Sequence, residues 1–115
     1  MTQPTIWHNP RCSKSRQTLQ LLKDRGFDPV IVDYVNTAPG RAEISAILDL
    51  LGIDAVKLMR TNDKRFAEAG LSKSNNAETL IDAMATQPIL IERPIVIHNG
   101  KAVLGRPPEA VLDIL

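Results

Sequence analysis

At 115 residues the chain has the length of one ordinary domain, and its 43% apolar residues are enough to fill a core in which aromatics, at 3%, play a minor part. A formal net charge of +1, from 14 Lys and Arg against 13 Asp and Glu, supplies no general attraction to nucleic acid or to a membrane surface. A lone Cys excludes an internal disulfide and suits a reducing cytoplasm. No apolar run is long enough to span a bilayer, and Met1-Thr2-Gln3-Pro4 lacks the charged and apolar regions of a signal peptide.

Thr5-Ile6-Trp7 reads as a short strand, broken by His8-Asn9-Pro10-Arg11. A helix is predicted from about Ser13 to Arg25, with Leu19 and Leu22 on one face and Gly26 as its stop. Val30 to Tyr34 is rich in β-branched residues and reads as a second strand. A loop through Gly40 precedes a helix carrying Ile44, Ile47, Leu48 and Leu51, ending near Gly52. Strand, helix, strand at this spacing predicts a parallel unit with a right-handed crossover.

The middle of the chain reads as a helical insert, about 41–87, within a single domain of residues 1–115. Asp54 is placed to cap a short helix reaching Met59. Phe66 lies in a second short helix that ends at Gly70. Leu80, Ile81 and Met84 predict a third over about Ala77 to Thr86. The end of the chain is β-rich. Ile95 to His98 and Lys101 to Leu104 flank Asn99-Gly100, the residue pair that a type I′ hairpin turn prefers. Gly105-Arg106-Pro107-Pro108 ends the hairpin, and Pro108 is placed at the first turn of a final helix over Glu109 to Leu115. The order βαβ, helical insert, ββα fits a thioredoxin-like α/β fold with a four-stranded mixed sheet.

Cys12 falls between the first strand and the first helix. Backbone N–H groups of a helix's first turn favour negative charge, and a thiol there ionises more easily to the nucleophilic thiolate. Arg11, Lys14 and Arg16 surround it in the sequence, which is not the setting of a buried core Cys. His8 on the same loop would lower the thiol pKa further if protonated; the alternative is a His with structural hydrogen bonds only. Ser15, one helical turn on, can donate to the sulfur or cap the helix. Arg60, Arg93 and Arg106 each fall at a break in the pattern. Guanidinium groups match tetrahedral oxyanions, and three of them near a thiolate would hold an anion that the thiolate repels. In a thioredoxin-like order Pro94 faces the helix-one Cys, which makes Arg93-Pro94 a candidate cis bond. No zinc, P-loop or dinucleotide pattern is present in the sequence.

These residues resemble the glutaredoxin-linked arsenate reductases, the ArsC-like branch of the thioredoxin superfamily, and the resemblance covers nearly the whole chain. It is carried by Ile6-Trp7-His8-Asn9-Pro10-Arg11-Cys12-Ser13-Lys14-Ser15-Arg16, Leu58-Met59-Arg60, Glu92-Arg93-Pro94-Ile95-Val96, Gly105-Arg106-Pro107-Pro108-Glu109 and Val111-Leu112-Asp113-Ile114-Leu115. The length is that of the short-form members. The resemblance implies Cys12 as nucleophile, His8 in thiol ionisation, Ser15 hydrogen-bonded to sulfur, and Arg60, Arg93 and Arg106 binding substrate. The implied reaction is attack on arsenate, reduction with glutathione as co-substrate, and recycling by glutaredoxin. It further implies a cytoplasmic monomer with no tightly bound cofactor and no metal.

Two readings compete with this one. A glutathione-linked thiol oxidoreductase would keep the fold and Cys12 but act on another substrate. An Spx-like regulator would share the fold and bind RNA polymerase. Those regulators sense oxidation through a Cys-x-x-Cys pair, and here the second position is Ser15.

Overall fold

Short β-branched and apolar stretches make the sheet. Strand β1, Thr5–Trp7, lies at its inside, with β2, Val30–Val32, parallel on one side and β3, Ile95–His98, antiparallel on the other; β4, Lys101–Leu104, pairs antiparallel with β3. The order is β2-β1-β3-β4, the four-stranded mixed sheet that the sequence predicts. The structure is a computed structural model and describes residues 3–115. Two compact units make up the chain. One is the chain up to Thr37 together with Arg93–Leu115, and the other is Ala38–Glu92.

In the sheet-bearing unit, Ile6 and Val96 are directly opposite one another on β1 and β3. They join Leu22 of α1, Ser13–Asp24, and Val111 of a final 3-10 segment, Pro108–Ile114, in a fully buried cluster. Leu19, Phe27, Val103 and Ile114 pack around it. Burying four aliphatic side chains of this size stabilises the fold by roughly 1.5–3 kcal/mol each. Trp7, next to Ile6 along a pleated strand, points to the other face and stacks on Tyr34 with ring centroids 6.2 Å apart. At the hairpin, Asn99 and Gly100 both take positive φ, 53° and 74°, as the type I′ turn requires.

In the second unit, α3, Arg41–Leu51, packs against α5, Ala77–Thr86. Ile44, Ile47 and Leu48 are buried on the first; Leu80, Ile81 and Met84 are buried on the second. Gly52 ends α3 in the left-handed conformation at φ 66°, where its N–H bonds the Leu48 carbonyl. Between these helices lie a 3-10 turn, Ala55–Leu58, and α4, Lys64–Glu68. Another 3-10 turn, Pro88–Leu90, follows α5. Met59 and Ile91 form an isolated antiparallel bridge.

Three boundaries differ from the sequence reading. Strand β2 stops at Val32, and Tyr34–Thr37 forms one helical turn, α2, because the Asp33 carbonyl accepts the Asn36 and Thr37 N–H groups. The last segment is 3-10 rather than α-helical. Asp54 precedes its 3-10 turn without a side-chain cap; its backbone carbonyl accepts the Lys57 N–H instead.

Candidate functional site

The loop from His8 to Cys12 is built by local hydrogen bonds. The Asn9 side-chain oxygen accepts the Arg11 N–H at 3.0 Å, an Asx turn across Pro10, and the Asn9 carbonyl accepts the Cys12 N–H at 3.0 Å. Asn9 is buried. The local signal for this turn is the Asn9-Pro10 pair, since Asn-Pro favours turn initiation. This turn delivers Cys12 to the N-cap position of α1 with extended backbone, φ −97° and ψ 123°.

At that position the sulfur takes the place of a capping oxygen. No side-chain oxygen caps α1, and no acidic residue lies in its first turn. Burial pushes the Cys12 thiol up. The Ser15 N–H, the Arg93 charge, the Lys14 N–H and a hydrogen bond from the Arg93 side chain together outweigh burial and hold the thiol below the ordinary cysteine range.

His8 and Ser15 meet, and His8 is held by a buried hydrogen bond, one of the two arrangements its place in the sequence allows. His8 Nδ1 lies 2.6 Å from the Ser15 hydroxyl, which also accepts the Asn9 N–H at 3.0 Å. Both residues are buried. Burial lowers the His8 pKa; the Asp33 carboxylate opposes this, and Arg16 and Lys23 add to it. A lowered pKa favours the neutral imidazole, the form in which a His holds structural hydrogen bonds. The Ser15 hydroxyl serves His8 and Asn9, while the Ser15 backbone N–H serves the sulfur.

The arginines divide between the two units. Arg93 reaches Cys12. Arg106 is exposed, and its Nε donates to the Arg93 carbonyl at 3.0 Å, so it is bonded to the residue that reaches the thiol, within the sheet-bearing unit. The Arg93–Pro94 bond is cis, as the thioredoxin-like order predicts, and so is Arg106–Pro107, for which the sequence offered no signal. Arg60 belongs to the other unit, where it follows the 3-10 turn after Asp54. Its N–H bonds the Leu90 carbonyl at 2.8 Å, Nη1 donates to the Ile89 carbonyl at 3.3 Å, and Nη2 lies 3.4 Å from the Asp63 carboxylate.

Such an arrangement combines a thiol whose ionisation fixed donors favour with a guanidinium group acting on the same sulfur. It can attack an electrophilic, anionic centre, and the guanidinium groups can offset the charge that builds up there. Among the described residues no group of three His, Cys, Asp or Glu side chains could hold a metal ion, and no helix is long and apolar enough to cross a membrane.

Comparison with known proteins adds three findings. The family model of the ArsC family matches residues 7–114. An arsenate reductase of Neisseria meningitidis is 43% identical over 117 residues, covering 100% of both chains, and the uncharacterized protein YfgD of Escherichia coli K12 is 48% identical over 115 residues, covering 98% of this chain and 97% of that one. The solved structure of an arsenate reductase from Vibrio cholerae matches with a TM-score of 0.95 at 43% identity, covering 98% of each chain.

Proposed function

The chain belongs to the ArsC family, and on that premise we propose that it is a thiol-dependent arsenate reductase in which Cys12 is the nucleophile. The Cys12 thiolate attacks the As(V) centre and displaces one oxygen, which leaves as water after taking up protons, so that a thiol–arsenate adduct forms. Glutathione sulfur then attacks Cys12 sulfur. The S–As bond breaks with its electron pair on arsenic, As(V) becomes As(III), and arsenite leaves behind a Cys12–glutathione disulfide. Glutaredoxin reduces that disulfide by thiol exchange. A single Cys suits this cycle, because the resolving thiols come from outside. The work belongs to a reducing cytoplasm, needs glutathione as co-substrate and no resident cofactor, and is done by a monomer.

The observation that carries the reading is the contact of Arg93 with an acidified Cys12, with Arg106 tied to the Arg93 carbonyl. Arsenate is a dianion near neutral pH, and the attacking sulfur is an anion too. Positive charge in fixed geometry is what their approach requires. The resemblance gives Arg60 to the same substrate, and that assignment is part of the proposal.

Incubation with arsenate, glutathione and glutaredoxin, with arsenite as the readout, tests the reading. The intact protein forms arsenite and Cys12→Ser forms none. Absence of arsenite from a protein whose thiol still alkylates normally overturns arsenate as the substrate. Loss of activity on Arg60→Ala, with the thiol titration unchanged, supports a substrate role for Arg60; full activity in that variant removes it.

A further inference from the structure

Gly105 stands where three stretches of the sheet-bearing unit converge. A Cβ on it would lie 2.7 Å from Pro94 Cγ, 2.7 Å from Thr18 Oγ1 and 3.2 Å from Thr18 Cγ2. Real Cβ atoms essentially never approach other heavy atoms that closely. Its φ is not in the left-handed region, so space rather than backbone conformation demands glycine here.

Neither neighbour can yield without cost to the thiol. Thr18 is fully buried on α1, and its hydroxyl donates to the Lys14 carbonyl at 2.8 Å. Lys14 contributes one of the backbone N–H groups on Cys12 sulfur. Pro94 is also buried; it accepts the Gly105 N–H at its carbonyl at 2.9 Å and directly follows Arg93. Arg106, directly after Gly105, bonds the Arg93 carbonyl. Moving Thr18 therefore disturbs the first turn of α1, and moving Pro94 carries Arg93 with it.

We propose that Gly105 is a positioning residue: the close approach it allows between Thr18 and Pro94 seats Arg93 beside Cys12, with Arg106 bonded to the Arg93 carbonyl. This deepens the reductase reading and rests on it for the substrate, but not for the thiol. A packing defect of this kind acts at the site through displacement, and a displacement of about 1 Å can cost on the order of 10²-fold in rate.

The test compares Gly105→Ala, Thr18→Ala and the double variant by thiolate absorbance against pH and by arsenite formation. In Gly105→Ala the thiol midpoint rises and kcat/KM for arsenate falls by about 10²-fold. In the double variant the added methyl no longer meets Thr18 Oγ1 and Cγ2 but still meets Pro94 Cγ, so the midpoint returns only part way. A folded Gly105→Ala with the wild-type midpoint overturns the proposal, since a merely structural role would lower thermal stability without moving the titration. If Gly105→Ala does not fold, the double variant decides. A midpoint above that of Thr18→Ala alone supports the proposal, because the added Cβ still crowds Pro94 Cγ, and a midpoint equal to or below it overturns the proposal. Wild-type protein that makes no arsenite overturns the reductase reading and leaves the titration test intact.

Discussion

Helices α1 and α5 are of similar length, 12 and 10 residues, and begin in opposite ways. Helix α5 closes its N-terminus. The Asn76 side chain accepts the Thr79 N–H at 2.9 Å, and Glu78 sits in the first turn. Helix α1 leaves its N-terminus to a sulfur. Cys12 occupies the cap position without a side-chain cap, acidic residues are missing from the first turn, and the Lys14 and Ser15 N–H groups act on the thiol. The same unpartnered donors thus stabilise a helix in one place and an anion in the other. What separates a structural end from a reactive one is the atom at the cap position and the charge that accompanies it.

The largest expected effect comes from removing the added charge. Arg93 supplies both a charge and a hydrogen bond to Cys12, so Arg93→Ala should cost roughly 3 kcal/mol of transition-state stabilisation, on the order of 10²-fold in arsenite formation. The thiol midpoint should rise in the same variant. Arg93→Lys should recover the charge but not the paired donors, and with them only part of the rate. Wild-type turnover by Arg93→Ala would show that the α1 terminus alone suffices, and the contrast with α5 would then rest on Cys12 only.

Next in size is the structural end. Asn76→Ala removes the α5 cap and should lower stability by about 1 kcal/mol, read from the denaturant midpoint. The thiol titration should not move, because Asn76 acts on α5 alone. A change in the thiol midpoint in this variant would mean that the two helix ends are not independent.

Much of this contrast was legible before any coordinates. Helix α5 matches its expected bounds, Ala77 to Thr86, because the spacing of Leu80, Ile81 and Met84 marks it, whereas its Asn76 cap is seen only in the structure. The hairpin was legible for the same reason: Asn99-Gly100 is a local signal with one dominant meaning. At the site, Cys12 at the head of α1 could be read from the strand-loop-helix pattern. Tyr34 could not be placed by propensity, because the turn of α2 follows from which N–H groups the Asp33 carbonyl accepts. The partner of the Ser15 hydroxyl was equally out of reach. One helical turn from Cys12, it could point at the sulfur or away, and the fold turns it to His8 and Asn9. Gly105 shows the general limit. Its importance lies in meeting Thr18 across most of the chain, and no local pattern encodes that distance.

The smallest effect sharpens the comparison most, because it gives α1 what α5 has. Ser13 is exposed in the first turn of α1, and Ser13→Asp places there the negative charge that Glu78 supplies to α5. For the helix alone this is favourable by about 0.3–1 kcal/mol. For the thiolate it is unfavourable, since the new carboxylate competes for the same donors and repels the sulfur. The two effects separate with pH. A thiol whose native pKa is depressed contributes stability that is present in full above the unfolded thiol pKa and is lost as pH falls through the native value. The Asp moves the native value up toward the unfolded one and so shrinks that contribution. Below the thiol midpoint, with the Asp still ionised, Ser13→Asp should therefore be more stable than wild type. Above the ordinary cysteine pKa the gain should shrink or reverse, and Ser13→Asn should show no such pH dependence. Thermal melts at the two pH values, with the thiol titration alongside, make the measurement. An equal gain at both, with an unmoved thiol midpoint, would show that the sulfur does not draw on the α1 terminus, and Arg93 would be left as the principal source of its acidity.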